Sequence, residues 1–274
     1  MGLAASPLLL VGGGKMGEAL LRGWIGRGLE PGDAYVVEPD AARREGLLAL
    51  GARAVAGPGE LPERLVPEVL VLAVKPQLMD EVLPAYRRLA DPGALVVSIA
   101  AGKPIAAFER AFGAGTAIVR AMPNTPAAVG RGVTVLCANP AVDAGRRALA
   151  EALMRAAGEV LWVEDEDLMH AVTAVSGGGP AYVFLLIEAL AAAGERAGLP
   201  AELAMRLARG TVVGSGELAR LAPEPPDELR RNVTSPRGTT EAALRVLMAE
   251  GDGLGPLMGR AVEAAAGRSR ELAA

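Results

Sequence analysis

An unbroken apolar run, Leu8-Leu9-Leu10-Val11, feeds into Gly12-Gly13-Gly14-Lys15-Met16-Gly17, and residues 18–26 follow with Leu20, Leu21 and Trp24 at helical spacing. Strand, glycine turn and helix in that order predict the start of a βαβ unit on a parallel sheet. Each glycine has a separate task. Gly12 permits the tight turn, Gly14 lets backbone approach a pyrophosphate, and Gly17 lets the helix close on the strand. With Lys15 and Met16 in the same turn, these positions make the first half of a dinucleotide site. A glycine-rich turn that holds no ligand is the alternative.

A second strand, Ala34 to Val37, ends in Glu38, 21 residues after Gly17. An acidic side chain at that place accepts hydrogen bonds from the adenosine ribose hydroxyls and repels a 2'-phosphate, which favours NADH over NADPH. Arg43 and Arg44 on the next helix would partly offset that repulsion if they folded back. Followed by Pro39, Glu38 also fits a plain solvated strand end.

Val69 to Val74 and Leu95 to Ala100 are further apolar strands separated by helical pattern, and the alternation predicts a parallel sheet. Ligands gather at the carboxyl ends of such strands. Ala73-Val74-Lys75-Pro76 after one strand and Ala100 after the other are therefore expected to face the cofactor, although Lys75 equally suits a solvated loop. After Ala117 to Arg120, the run Met122-Pro123-Asn124-Thr125-Pro126 specifies a rigid loop, with Met122 and Asn124 expected beside the nicotinamide. Val160 to Val163 is the last strand, ending at Glu164-Asp165-Glu166-Asp167. The expected division is a Rossmann-type nucleotide domain over residues 1–164 and an all-helical domain over 165–274.

The second part reads as helices at Leu168 to Val175, Pro180 to Ala197, Ala201 to Leu221 and Thr239 to Glu250, with a last one from about Leu257. Gly177-Gly178-Gly179 reads as a turn ahead of Pro180. Ala181 to Ala193 reads as a buried core helix, too short before Glu195 and Arg196 for a bilayer span. Helices this apolar call for a partner copy to cover them.

With 274 residues, 51% of them hydrophobic, the chain can fill two domains, and its net charge of -4 with scattered arginines and few aromatics excludes nucleic acid as a partner. Cys137 sits in an apolar strand-like stretch, Val133 to Ala138, as a buried thiol in a reducing cytoplasm. His170 has no second histidine or cysteine near it and reads as a helix residue, so no metal site is expected. Met1-Gly2 with Ser6 fits a myristoylation pattern by accident of length, and neither a signal peptide nor a membrane partner is expected.

The densest cluster of polar groups is Asn232-Val233-Thr234-Ser235-Pro236-Arg237-Gly238-Thr239-Thr240, ahead of a helical stretch. A helix start leaves about four N–H groups unpaired and carries roughly half a positive charge, so hydroxyls and bare amides there suit a small carboxylate. Plain helix capping by Ser235 and the threonines is the alternative.

Taken together, the glycine turn, Ala73-Val74-Lys75-Pro76, residues 120–126, Ala174 to Tyr182 and Val233 to Thr240 resemble the pyrroline-5-carboxylate reductase family, in order and spacing over nearly the whole chain. The resemblance implies hydride transfer from NAD(P)H to the C=N carbon of 1-pyrroline-5-carboxylate, giving L-proline, in a cytoplasmic homodimer or a larger ring such as a decamer. It assigns Ser235, Gly238 and Thr239, with neighbouring Val233, to the substrate carboxylate, and Thr240 to the ring nitrogen. A hydroxyl of such high pKa orients an already protonated imine or relays a proton.

Three positions depart from the family pattern. Arg237 and Gly178 stand where glycine and serine are usual, and Arg231 stands where aspartate is usual. A loop glycine at position 237 would supply φ > 0, which strains arginine. Three other readings stay open: a related imine reductase, a 3-hydroxyacid-type dehydrogenase, and a non-catalytic NAD(P)-binding module. The dehydrogenase would need a lysine among the helices, yet the lysines are only Lys15, Lys75 and Lys103.

Overall fold

The computed structural model describes residues 7–90 and 93–273, so the Met1-Gly2 and Ser6 pattern lies outside the described residues. Contacts divide the chain into two compact units. One runs up to Gly177 and takes in the chain again from Ala266, and the other is Gly178–Ala265.

The first unit is built on one sheet of eight strands: β1 (Leu8–Val11), β2 (Ala34–Val37), β3 (Arg53–Val55), β4 (Val69–Leu72), β5 (Leu95–Ser98), β6 (Ala117–Met122), β7 (Gly132–Ala138) and β8 (Gly158–Trp162). Their order is β3-β2-β1-β4-β5-β6-β7-β8. The chain leaves β1 for β2 and β3 on one side, then returns to pair β4 on the other, so the carboxyl end of β1 is the topological switch point. All four residues of β1 are buried, as a central parallel strand covered on both faces requires. Alternate residues divide between the faces: Leu8 and Leu10 join Leu20, Leu21 and Trp24 in one core, while Leu9 and Val11 join Phe108 in the other.

Three expectations need correction here. The sheet is parallel except that β6 and β7 pair antiparallel, because the short helical turn Thr125–Val129 joins them and is too short for a parallel crossover. The strands at residues 69–74 and 95–100 stop two residues early, at Leu72 and Ser98, which frees Ala73 and Val74 to turn toward the switch point. The loop at residues 122–126 begins one residue later than expected, since Met122 still pairs with Val135. Two elements had no clear sequence signal: β3, only three residues long, and the helix Pro226–Asn232.

In the second unit, Gly179–Arg196 and Ala201–Leu221 pack on each other through small residues; a Cβ at Gly194 would meet Ala204 Cβ at 3.3 Å. Thr239–Leu247 and the start of Leu254–Ala273 follow. The expected glycine turn at residues 177–179 is absent. A π-helical turn, Thr173–Gly177, continues the helix Leu168–Val172, and Gly178 has helical φ and ψ of -80° and -22°. The expected buried core helix at residues 181–193 is also overturned, since across Gly179–Arg196 only Ala191 is buried and Phe184 and Leu185 are 58% and 63% exposed. Its apolar surface faces away from its own chain. As one run, Leu168–Arg196 is long and apolar enough to cross a bilayer by length and composition, in place of the short stretch expected.

Candidate functional site

Helix α1 (Lys15–Gly26) starts directly at the glycine turn, whose geometry is fixed by its neighbours. Gly12 donates its N–H to Val37 O at 2.9 Å, and Ala73 donates to Val11 O at 2.8 Å, so the turn is pinned between the ends of β2 and β4. Gly12 has φ of +100°, and a Cβ there would lie 2.7 Å from Ala73 O. A Cβ at Gly17 would collide with Gly12 O. At Gly14 the opposite holds: nothing but the tip of Arg43, 3.9 Å away, approaches the place a Cβ would take. Two glycines are thus needed for closure and one leaves an open cradle at a helix N-terminus. That is the shape and polarity a pyrophosphate requires, and the donor set fits a dinucleotide.

A cavity of about 640 Å³ opens over this cradle. Of the expected cofactor residues, Gly12, Gly14, Lys15, Met16, Glu38, Ala73, Val74 and Lys75 line it together. The other four lie outside its lining. Pro76 starts the short turn Pro76–Leu78, Ala100 is buried just beyond β5, and Met122 ends β6. Asn124 accepts from Val133 N at 2.8 Å and donates to Ser176, so it ties its loop to the π-helical turn. Sequence reasoning missed Leu78, Val82 and Tyr86 on the cavity wall, although their spacing of four residues is a helical signal. Burial pushes the Tyr86 hydroxyl up to about 12, so it stays a neutral phenol.

At the end of β2, Glu38 is buried. One carboxylate oxygen accepts from Gly13 N at 2.8 Å and the other from Asp40 N at 2.9 Å. This side chain therefore braces the glycine turn while lining the cavity. Helix α2 (Ala41–Ala49) is capped by Asp40, which accepts from Arg43 N at 2.9 Å. Arg44 donates to Glu38 O and Pro39 O at 2.9 and 3.1 Å.

Farther along the sheet, the buried Arg120 on β6 pairs with Glu166 at 2.9 Å, and the same Glu166 oxygen accepts from Ile105 N. Only the identity of an acidic run was legible at Glu164 to Asp167, not this clasp. Cys137, opposite Arg120 on β7, is buried as expected, and burial followed by the Glu166 charge pushes its thiol up, away from reactive thiolate. His170 lies on a helix as expected, with Nδ1 at 2.9 Å from Ser269 Oγ. Two smaller cavities, of about 380 and 360 Å³, share Gly93 and Arg146 at the opposite ends of the strands and gather no chemically coherent set.

In the second unit, the chain turns at Ser235-Pro236-Arg237-Gly238, closed by Gly238 N donating to Ser235 O at 3.0 Å. Pro at the second place and φ of +62° at the third, Arg237, follow the type II pattern, where glycine is the unstrained choice. Arg237 is the sole non-glycine residue with positive φ among the described residues. Its N–H donates to the Glu241 carboxylate at 2.6 Å, one residue ahead of the N-cap, which ties the turn to the first turn of the helix. Gly238 is the N-cap of the helix Thr239–Leu247, and no side chain caps it. The hydroxyls of Ser235, Thr239 and Thr240 are thus not spent on capping, and a helix start leaves its first amides without intrahelical partners. Val233 closes the preceding helix and is 64% exposed, while Arg231 pairs with Asp227 at 2.6 Å on the surface.

A family model described as pyrroline-5-carboxylate reductase dimerisation matches residues 166–272, and one described as NADP oxidoreductase coenzyme F420-dependent matches residues 8–102. The chain is 45% identical over 264 residues to a pyrroline-5-carboxylate reductase of Synechocystis, covering 96% of this chain and 97% of the relative. Against that of Pseudomonas aeruginosa it is 41% identical over 279 residues, covering 99% and 98%. The solved structure of a pyrroline-5-carboxylate reductase from Coxiella burnetii matches with a TM-score of 0.91 at 37% identity, covering 98% of this chain and 99% of that one. The Plasmodium falciparum pyrroline carboxylate reductase with NADP bound matches with a TM-score of 0.83 at 30% identity, covering 98% of each.

Proposed function

This chain belongs to the pyrroline-5-carboxylate reductase family, and on that premise we propose that it reduces 1-pyrroline-5-carboxylate to L-proline. NAD(P)H, when bound, supplies the hydride that adds to the C=N carbon. The ring nitrogen keeps the proton it already carries as an iminium, so the two-electron reduction balances as a secondary amine.

Each part of the chain then has a task. The glycine turn and the start of α1 hold the pyrophosphate, with Lys15 and Met16 in the turn and Ala73, Val74 and Lys75 on the facing wall. Glu38 receives the adenosine ribose hydroxyls and keeps a bias toward NADH, while Pro76, Ala100, Met122 and Asn124 shape the nicotinamide end. Ser235 with the Gly238 and Thr239 amides, flanked by Val233, takes the substrate carboxylate. The Thr240 hydroxyl orients the ring nitrogen. Holding a charged imine in place leaves little else for the protein to do, which is why no histidine or lysine is needed at the centre.

The observation that carries this reading is the helix start at Gly238, uncapped by any side chain, with three hydroxyls left over beside it. Exposed apolar residues on the helices support a homodimer over burial in a bilayer, and that homodimer is the unit from which a ring such as a decamer would be built. A buried, unreactive thiol suits the cytoplasm.

Two variants test the assignment. Ser235→Ala should raise KM for pyrroline-5-carboxylate about tenfold while the cofactor KM stays put, as loss of one hydrogen bond to a charged group requires. Thr240→Val should lower kcat about tenfold or more. If Ser235→Ala shifts both KM values together, or Thr240→Val keeps full kcat, the loop is a structural cap and the reading fails.

A further inference from the structure

We infer that Asn124 is a positioning residue of the proposed reduction, which it serves by supplying a hydrogen bond that the Ser176 carbonyl cannot obtain from its own helix. The chain leaves the first unit at Gly177, and Ser176 stands just before that point, in the π-helical turn Thr173–Gly177. In an α-helical ladder the Ser176 carbonyl would accept from the residue four positions on, but that residue is Pro180, which has no N–H. One residue farther, Ala181 N donates to Gly178 O at 3.0 Å. A carbonyl left in this way inside a partly buried turn takes its donor from elsewhere. Asn124 Nδ2 stands 3.3 Å from both Ser176 O and Ser176 Oγ.

Chemistry sets the orientation of that amide. A backbone N–H can only donate, so Val133 N, 2.8 Å away, holds Oδ1 toward β7 and aims Nδ2 at the π-helical turn. Asn124 also stands at the N-cap of the helical turn Thr125–Val129, where asparagine ordinarily caps, yet its side chain makes no cap bond there. The amide is spent on the bridge instead. Nor does Asn124 line the cavity over the glycine turn, so it acts through what it holds. The held turn lies against Met122, whose methyl fills the place a Cβ on Gly177 would take. One amide therefore keeps the end of β6, the start of β7 and the π-helical turn in a single arrangement, and hydride transfer is sensitive to such placement.

This inference rests on the proposed reduction, so a second readout that needs no substrate accompanies the kinetics. Asn124→Asp and Asn124→Leu are compared with wild type in the full-length protein. Asn124→Asp keeps the acceptor for Val133 N but leaves the Ser176 carbonyl facing an oxygen in place of a donor, whereas Asn124→Leu removes every bond of the bridge at similar size. Both should lower kcat for 1-pyrroline-5-carboxylate about tenfold with KM for NADH unchanged. Amide hydrogen exchange should quicken over residues 168–178 and stay slow in β1 and β4. A kcat kept by Asn124→Asp overturns the inference, whatever the exchange does, and so does a cofactor KM that rises as far as kcat falls. A wild type that turns over no substrate would sink the proposed reduction instead. The bridge is then decided by exchange alone, quickened by Asn124→Asp if the amide holds the turn and unchanged if it does not.

Discussion

The two units of this chain solve the problem of apolar surface in opposite ways. The nucleotide-binding unit closes both faces of its sheet with its own helices, and every residue of β1, β4 and β5 is buried. The helical unit leaves Phe184, Leu185, Val213, Leu218 and Val246 more than half exposed, and its buried residues along Gly179–Arg196 and Ala201–Leu221 are alanines. Equal hydrophobicity therefore means different things in the two units. In one it fills a core within the chain, and in the other it is surface for a second copy, consistent with a dimerisation family model over residues 166–272.

The sharpest way to break this contrast is to damage each unit where its apolar residues act. Trp24 is fully buried, and its Nε1 donates to Leu153 O at 2.9 Å. Trp24→Ala should cost about 3–5 kcal/mol in a urea unfolding series. Leu185→Asp, by contrast, should leave the nucleotide unit folded and weaken self-association about a hundredfold, read by analytical ultracentrifugation across a dilution series. If Leu185→Asp unfolds the chain as Trp24→Ala does, the helical surface is internal core after all.

A smaller effect is expected at Arg237, where strain sits in the loop. Relief of positive φ in Arg237→Gly offsets the greater freedom of glycine in the unfolded chain and should leave a net gain of about 0.5–1 kcal/mol, seen as a higher Tm. No gain would mean that the Arg237 side chain makes compensating contacts. The smallest effect concerns His170, whose imidazole is held below its ordinary value first by burial and then by the Arg120 charge. With the folded value depressed, the unfolded chain binds the proton more readily, so this contribution is full above the unfolded value of about 6.5 and is lost as pH falls through the folded one. Between pH 7.5 and pH 5, Tm should fall more for the wild type than for His170→Gln; parallel curves would contradict this.

How much of this was legible in sequence follows the same division. The nucleotide unit announces itself because glycines, apolar strands and their order are local signals, and the cradle at Gly12, Gly14 and Gly17 lies where they place it. What sequence could not show there is direction. It did not reveal that β7 runs against β6, or that Glu38 turns onto Gly13 while Arg43 and Arg44 part company. In the helical unit, apolarity was legible but its destination was not, since a periodic stripe looks the same whether the covering surface belongs to this chain or another. Three consecutive glycines at residues 177–179 resembled a break, yet the helix runs through them by way of a π-helical turn. The positive φ at Arg237, however, was foreseeable, because arginine stands where the family usually has glycine.

The central claim is that this chain reduces 1-pyrroline-5-carboxylate with a nicotinamide cofactor. Its most direct test is to follow NADH and NADPH oxidation by nicotinamide absorbance with and without 1-pyrroline-5-carboxylate, and to identify the product. The account predicts oxidation that depends on the substrate, occurs with either cofactor and yields one L-proline per cofactor consumed. Folded protein that binds the dinucleotide but oxidises neither cofactor in the presence of substrate would contradict it.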